Sequence, residues 1–177
     1  EILIRQRDQR NRFAQALALA RSQSEALQAL AAADGVPALL RRHQVVERQV
    51  GQITNQLDGT LQELTLNDLG TPQARELLQQ AILEPLHALH DVRGAAVKLE
   101  LEALAAQPSI DPGAHQRAMA QQAGAVEDMQ KILSAMSQWE SFVDVVNQLR
   151  TVIHLQNQVL ETTERMKNER VKGLFDD

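Results

Sequence analysis

Along most of this chain the apolar side chains recur at alternating intervals of four and three residues. Residues 38–66 place Leu39, His43, Val46, Val50, Ile53, Leu57, Leu61 and Leu64 in one row. Residues 72–106 do the same with Leu78, Ile82, Leu86, Leu89, Val92, Ala96, Leu99 and Ala103. A third row, Phe142, Val146, Leu149, Ile153 and Leu160, continues more loosely through Met166, Val171 and Leu174. Met119, Val126, Met129, Leu133 and Met136 share a face within 114–136, and Phe13, Leu17, Leu27 and Leu30 share one within 1–33. Such spacing follows the α-helical turn and predicts helices that pack at shallow angles.

Proline, glycine and capping residues divide these rows. In Asp34-Gly35-Val36-Pro37, Gly35 suits the left-handed position that ends one helix and Pro37 the first turn of the next. Thr71 followed by Pro72, and Asp111 followed by Pro112, each read as a cap with proline at the first helical position. A weaker mark is Ser137-Gln138-Trp139-Glu140-Ser141, where Ser141 and Asp144 resemble a capping box. It is either a corner or a kink within one long helix. The resulting helices run over 2–33, 38–66, 72–106, 113–137 and 142–172, with Pro85 expected to kink the third.

The fold class is therefore all-α: an elongated, antiparallel, coiled-coil-like bundle of four to five long helices in one domain, 1–177. The three longest would each run roughly 45–50 Å at about 1.5 Å per residue. Composition agrees. Of 177 residues, 24 are Ala, 25 Leu and 22 Gln, whereas Tyr and Cys are absent and aromatics make up 2%. So few aromatic and β-branched residues exclude a β-sandwich or barrel, and the lack of cysteine excludes disulfide scaffolds and Cys-ligated metal sites. The many glutamines read as uncharged outer helix faces.

The net charge is −5, with residues 1–50 net basic and the remainder net acidic. Arg5, Arg7, Arg10 and Arg12 form the one basic cluster, and Phe13 is its sole aromatic neighbour. A nucleic-acid surface interleaves basic and stacking side chains more densely, so these arginines read as a solvated face and no nucleic-acid partner is expected. No apolar run approaches a membrane span. Glu1 falls inside a helical pattern with no methionine before it, so the chain reads as a piece of a longer one.

Candidate chemistry is thin. Glu84-Pro85-Leu86-His87 has the Glu-x-x-His spacing of di-iron helical bundles, and His90 follows one turn later. A di-iron site needs a second such motif and further inward glutamates, and the sequence holds no second motif. Glu84, His87 and His90 thus read as partly exposed polar residues at a kink, with no metal and no cofactor expected. His43 reads as a core or boundary histidine, while His115 and His154 carry no pattern. No strained Gly-x-Ser-x-Gly turn or Gly-rich phosphate loop occurs, so no catalytic residue is assigned. Trp139, Phe142 and Phe175 are the candidates for partner binding, with core packing as the competing role of Trp139.

The final third carries a family likeness. Lys131-Ile132-Leu133-Ser134-Ala135-Met136, Gln138-Trp139-Glu140-Ser141-Phe142, Val145-Val146, Leu149-Arg150, Ile153 to Gln156 and the tail Gly173-Leu174-Phe175-Asp176 follow one order. Over residues 131–176 it resembles the C-terminal helical region of large, membrane-anchored bacterial envelope proteins of unknown function. The resemblance implies an extended coiled-coil-like protein, periplasmic or envelope-associated, with any membrane contact through segments outside this chain. It supplies no catalytic residue. The expected function is structural or scaffolding, through a protein partner or self-association by helix faces. The alternative is a ligand-sensing bundle of a bacterial receptor, which calls for converging polar groups in one pocket.

Overall fold

In the computed structural model, which describes the backbone of residues 2–173 and the side chains of residues 5–167 other than Ala33, every regular element is helical. The protein is all-α. Helix α1 spans Ile2–Gln28, a 3₁₀ turn Ala33–Gly35 and α2 Val36–Leu66. A segmented rod follows, made of α3 (Pro72–Leu78), a first π-helical segment π1 (Gln79–Leu83), α4 (Glu84–Ala88), a second, π2 (Leu89–Gly94), and α5 (Ala95–Ala105). The last helix, α6, runs unbroken over Pro112–Gly173. The chain divides into two units, Glu1–Glu140 and Ser141–Asp177, although its apolar spacing reads as one domain. Helix α6 contributes to both, and its backbone continuity hides the division.

The proline caps are as the sequence predicts. Thr71 Oγ1 accepts from Ala74 N at 3.2 Å with Pro72 at the first helical position, and Asp111 Oδ2 accepts from Ala114 N at 2.7 Å. Gly35 differs. Its φ is −74°, an ordinary right-handed value, so it does not end α1 in the left-handed manner expected. Helix α1 ends at Gln28 in a tightened turn, where Leu30 N donates to Leu27 O at 3.3 Å. A Cβ at 35 would lie 2.8 Å from Leu30 Cδ1, so the end of the leucine side chain would have to shift to admit one.

The first unit buries a row from each helix. On α2 it is the sequence-predicted one: Leu39, His43, Val46, Val50, Ile53, Leu57 and Leu64 are buried, and Leu61 is partly so. On the segmented rod the predicted row holds from Leu78 to Leu89 and then fails. Val92 and Leu99 are 70% and 65% exposed, and Val97, Leu101 and Leu104 take the core instead. The physical cause is π2. A π turn holds an extra residue, which rotates everything downstream by about 100° and brings a different face to the core. Segment π1 lies just before Pro85, which has no N–H to give the preceding turn. The Glu84 N–H reaches back to Gln79 O, and the helical backbone continues through the proline.

Helix α6 also corrects the reading. Ser137–Ser141 is not a corner: no glycine or proline occurs between Gly124 and Gly173, and Ser137 Oγ donates back to Leu133 O at 3.1 Å within the helix. Its buried row is Ala114, Ala118, Gln122, Ala125, Met129, Ile132, Met136 and Trp139, while Met119, Val126 and Leu133 flank it. Small alanines at these positions let α6 come close, and each Leu, Ile or Met buried beside them contributes about 1.5–3 kcal/mol. The glutamines are not all outward. Gln6, Gln9 and Gln23 complete the buried row of α1 with Phe13, Ala16, Ala20 and Leu27.

Candidate functional site

Three places hold the residues that chemistry or recognition would use. The first is a polar cluster in the core of the first unit, beside π2. His43 Nε2 faces Gly94 O at 3.0 Å, and Gln122 Nε2 donates to Ala20 O at 2.9 Å. Burial pushes the His43 pKa below its usual 6.5, partly offset by the Gly94 carbonyl and the nearby Glu47 carboxylate. The imidazole is therefore neutral and donates to Gly94, leaving Nδ1 bare. Beside it is a cavity of about 30 Å³, lined among others by Gln23, His43, Gln122 and Met129. Gln23 is fully buried, and its amide nitrogen and oxygen have no hydrogen-bond partner.

The second is the segment that the Glu-x-x-His spacing singled out. Glu84 is exposed on α4. His87 Nε2 lies 3.2 Å from Asp58 Oδ2 on α2, whereas His90 Nδ1 donates to Asp91 Oδ1 at 2.7 Å. Each imidazole thus faces a separate carboxylate. No group of three or more His, Asp or Glu suited to a metal ion occurs among the described residues. The His90 ring lies so close to α2 that a Cβ at Gly51 would come within 3.0 Å of its Nε2. A groove of about 450 Å³ opens on the same rod, lined by Pro85, Leu89, Val92, Arg93, Asp128 and Lys131 among others. Its charges are mutually satisfied. Arg93 Nε donates to Asp128 Oδ2 at 3.1 Å, and Lys131 Nζ lies 2.7 Å from Glu127 Oε1.

The arginines of α1 are not simply a solvated face. Arg7 Nε donates to Glu140 Oε1 at 2.7 Å, and Arg10 Nη1 lies 2.7 Å from Glu140 Oε2. Glu140 is buried, so two cations from α1 clasp one carboxylate of α6. Nearby, Trp139 is 2% exposed and its indole Nε1 donates to Ala74 O at 3.0 Å. Trp139 is accordingly a core residue and not a partner anchor. A buried indole fills the volume its alanine-rich neighbours leave, and the carbonyl satisfies its one donor.

The third place is in the second unit. Here Phe142 and Val146 are partly buried, whereas Val145, Leu149, Val152, Ile153, Leu155, Val159, Leu160 and Met166 are between 49% and 66% exposed. Elsewhere among the described residues, exposed large apolar side chains are scattered over several elements. Of the three aromatic candidates, Phe142 begins this row and Phe175 lies outside the described residues. Sequence reading marked the row as apolar but not as uncovered. The available signal was its seven-residue recurrence from Phe142 to Met166. No helix among the described residues is long and apolar enough to cross a membrane.

Comparison with known proteins gives no relative: no protein-family model, no curated protein and no solved structure matches the chain.

Proposed function

We propose that this chain is a non-catalytic helical scaffold that associates with protein helices through the exposed apolar face between Phe142 and Met166. The observation that carries the reading is that face itself. Soluble surfaces rarely leave contiguous apolar area uncovered, because each such side chain loses its transfer free energy to water. Pairing of core polar side chains supports a structural role as well, since His115, Gln122 and Trp139 bond to backbone carbonyls and Glu140 lies against Arg10. An envelope-facing position, implied by the likeness over residues 131–176, belongs to the same proposal.

The test is site-specific photocrosslinking in living cells of the native source. A photoreactive residue replacing Leu149, on the apolar face, is expected to crosslink to protein. One replacing Thr151, on the opposite side of the same turn, is expected to give none. Equal labelling from both positions, or no protein adduct from Leu149, overturns the reading.

A further inference from the structure

The residues of the second unit repeat every seven positions. Val146, Ile153 and Leu160 occupy one column, and Phe142, Leu149, Gln156 and Thr163 occupy a second. A third column, Val145, Val152, Val159 and Met166, widens the stripe on one flank. We infer that this face is covered by the same face of a second copy of the chain, running parallel and in register; the inference rests on the scaffold reading above and names its partner.

Three observations favour a second copy. The repeat is seven residues, an average of 3.5 per turn, and a helix keeps such a stripe in contact only by supercoiling around another helix with the same period. A flat sheet or membrane surface does not select it. Next, the area suffices. Residues 142–166 extend roughly 37 Å on a cylinder about 10 Å across, so three of seven columns cover about 500 Å² per copy and about 1,000 Å² for a pair, the lower bound of specific interfaces. Lastly, no other described helix of this chain offers a matching stripe, because the rows of α1, α2 and the segmented rod are buried in the first unit. The same helix on another molecule does offer one.

Polar residues in the stripe select the orientation. In a parallel pair Gln156 meets Gln156 and Thr163 meets Thr163, so amide pairs with amide and hydroxyl with hydroxyl across the seam. In an antiparallel pair the first and second columns face each other, which sets Gln156 against Ile153 and leaves its amide among apolar atoms at a desolvation cost. Arg150, Asn157 and Glu164 line the other flank and, in the parallel arrangement, lie beside the valines of the third column with no like charges opposed. Lys167 falls in the first column and ends the stripe.

The experiment is sedimentation equilibrium on the full chain, from about 1 to 200 μM, a range that brackets a micromolar dissociation constant. The wild type is expected to reach twice its 19.7 kDa mass. The double variant Ile153→Glu with Leu160→Glu is expected to stay at the mass of one chain with unchanged helical circular dichroism. Because the chain has no cysteine, Gln156→Cys reports the orientation cleanly. It is expected to form a disulfide-linked pair in air, and Gln158→Cys, on the outer face, is not. A single-chain mass throughout, a mass of three or more chains, or equal linking by both cysteines overturns the inference. A wild type that stays single but crosslinks another protein from Leu149 in cells overturns the second copy and leaves the scaffold standing. Failure of both measurements removes both.

Discussion

His43 on α2 and Gly94 at the end of π2 are joined by a hydrogen bond of 3.0 Å from imidazole Nε2 to the carbonyl oxygen. The contact fastens two helices at the point where the rod changes phase. It also buries a titratable group, with Glu47 and Lys98 as its charged neighbours. Burial lowers the His43 pKa in the folded protein, so below about pH 6.5 the unfolded chain takes up a proton that the folded chain refuses. The stabilisation is therefore complete above that pH and is lost as the pH falls toward the lower folded value. Urea midpoints are expected to drop between pH 7.5 and pH 5, and His43→Gln, which keeps a donor for Gly94, is expected to flatten that part of the profile. An identical profile in the variant removes His43 as the source.

Gln23 provides the next outcome. Its amide is fully buried and unpartnered beside a cavity of about 30 Å³. Exchanging such a group for an apolar one of similar size removes a desolvation cost of about 1–3 kcal/mol. Gln23→Met is expected to raise the thermal midpoint by a few degrees, read by circular dichroism. A fall in the midpoint shows that the amide is satisfied in the folded protein.

Glycines separate two physical effects. Gly59 lies within α2 with no atom near a prospective Cβ, so Gly59→Ala is expected to stabilise by about 0.5–1 kcal/mol through helix propensity and reduced unfolded-state freedom. Gly70 has φ +75°, and Gly70→Ala is expected to cost about 1 kcal/mol through backbone strain despite similar exposure to solvent at the turn. Denaturant titration of the two variants gives shifts of opposite sign if both assignments hold.

The clasp on Glu140 is expected to be worth more than an ordinary surface pair. Its carboxylate is buried between Arg7 and Arg10, but Arg7 keeps much of its exposure, so full burial energetics do not apply. Glu140→Ala is expected to destabilise by about 2 kcal/mol. Trp139, the sole tryptophan, is adjacent and buried, so its fluorescence reports unfolding directly. A change below about 0.5 kcal/mol would place the pair among the weak ones.

Much of this fold is legible in the residues. The row from Leu39 to Leu64 is read correctly because α2 is regular from cap to cap, and Thr71 and Asp111 cap where their prolines indicate. Departures from regularity are where reading fails. Val92 and Leu99 were expected inside because a period carried through Leu89 takes no account of a π turn. Trp139 suggests a helix end, yet nothing in its neighbourhood removes a backbone donor, and the helix continues. Gln6, Gln9 and Gln23 are polar by type and buried by position, which only the packing reveals. The candidate site was visible as a row from Phe142 onward. That the row is uncovered depends on where every other helix has spent its apolar side, and no local spacing records this.

Segment π2 has a consequence for how the chain tolerates change in length. Val97, Leu101 and Leu104 reach the core because the extra residue between Leu89 and Gly94 is absorbed in the π turn. One deletion there would turn π2 into an ordinary α-helical turn and still bring the same three side chains inside. One insertion would instead turn α5 by roughly a quarter of a circle and carry them out of the core. The exposed loop at Gln107–Ser109 is under no such constraint, and residues can be added there without any core side chain changing direction. The rod can thus lose a residue at one place and gain residues at another a few turns later, and the two tolerances have opposite sign.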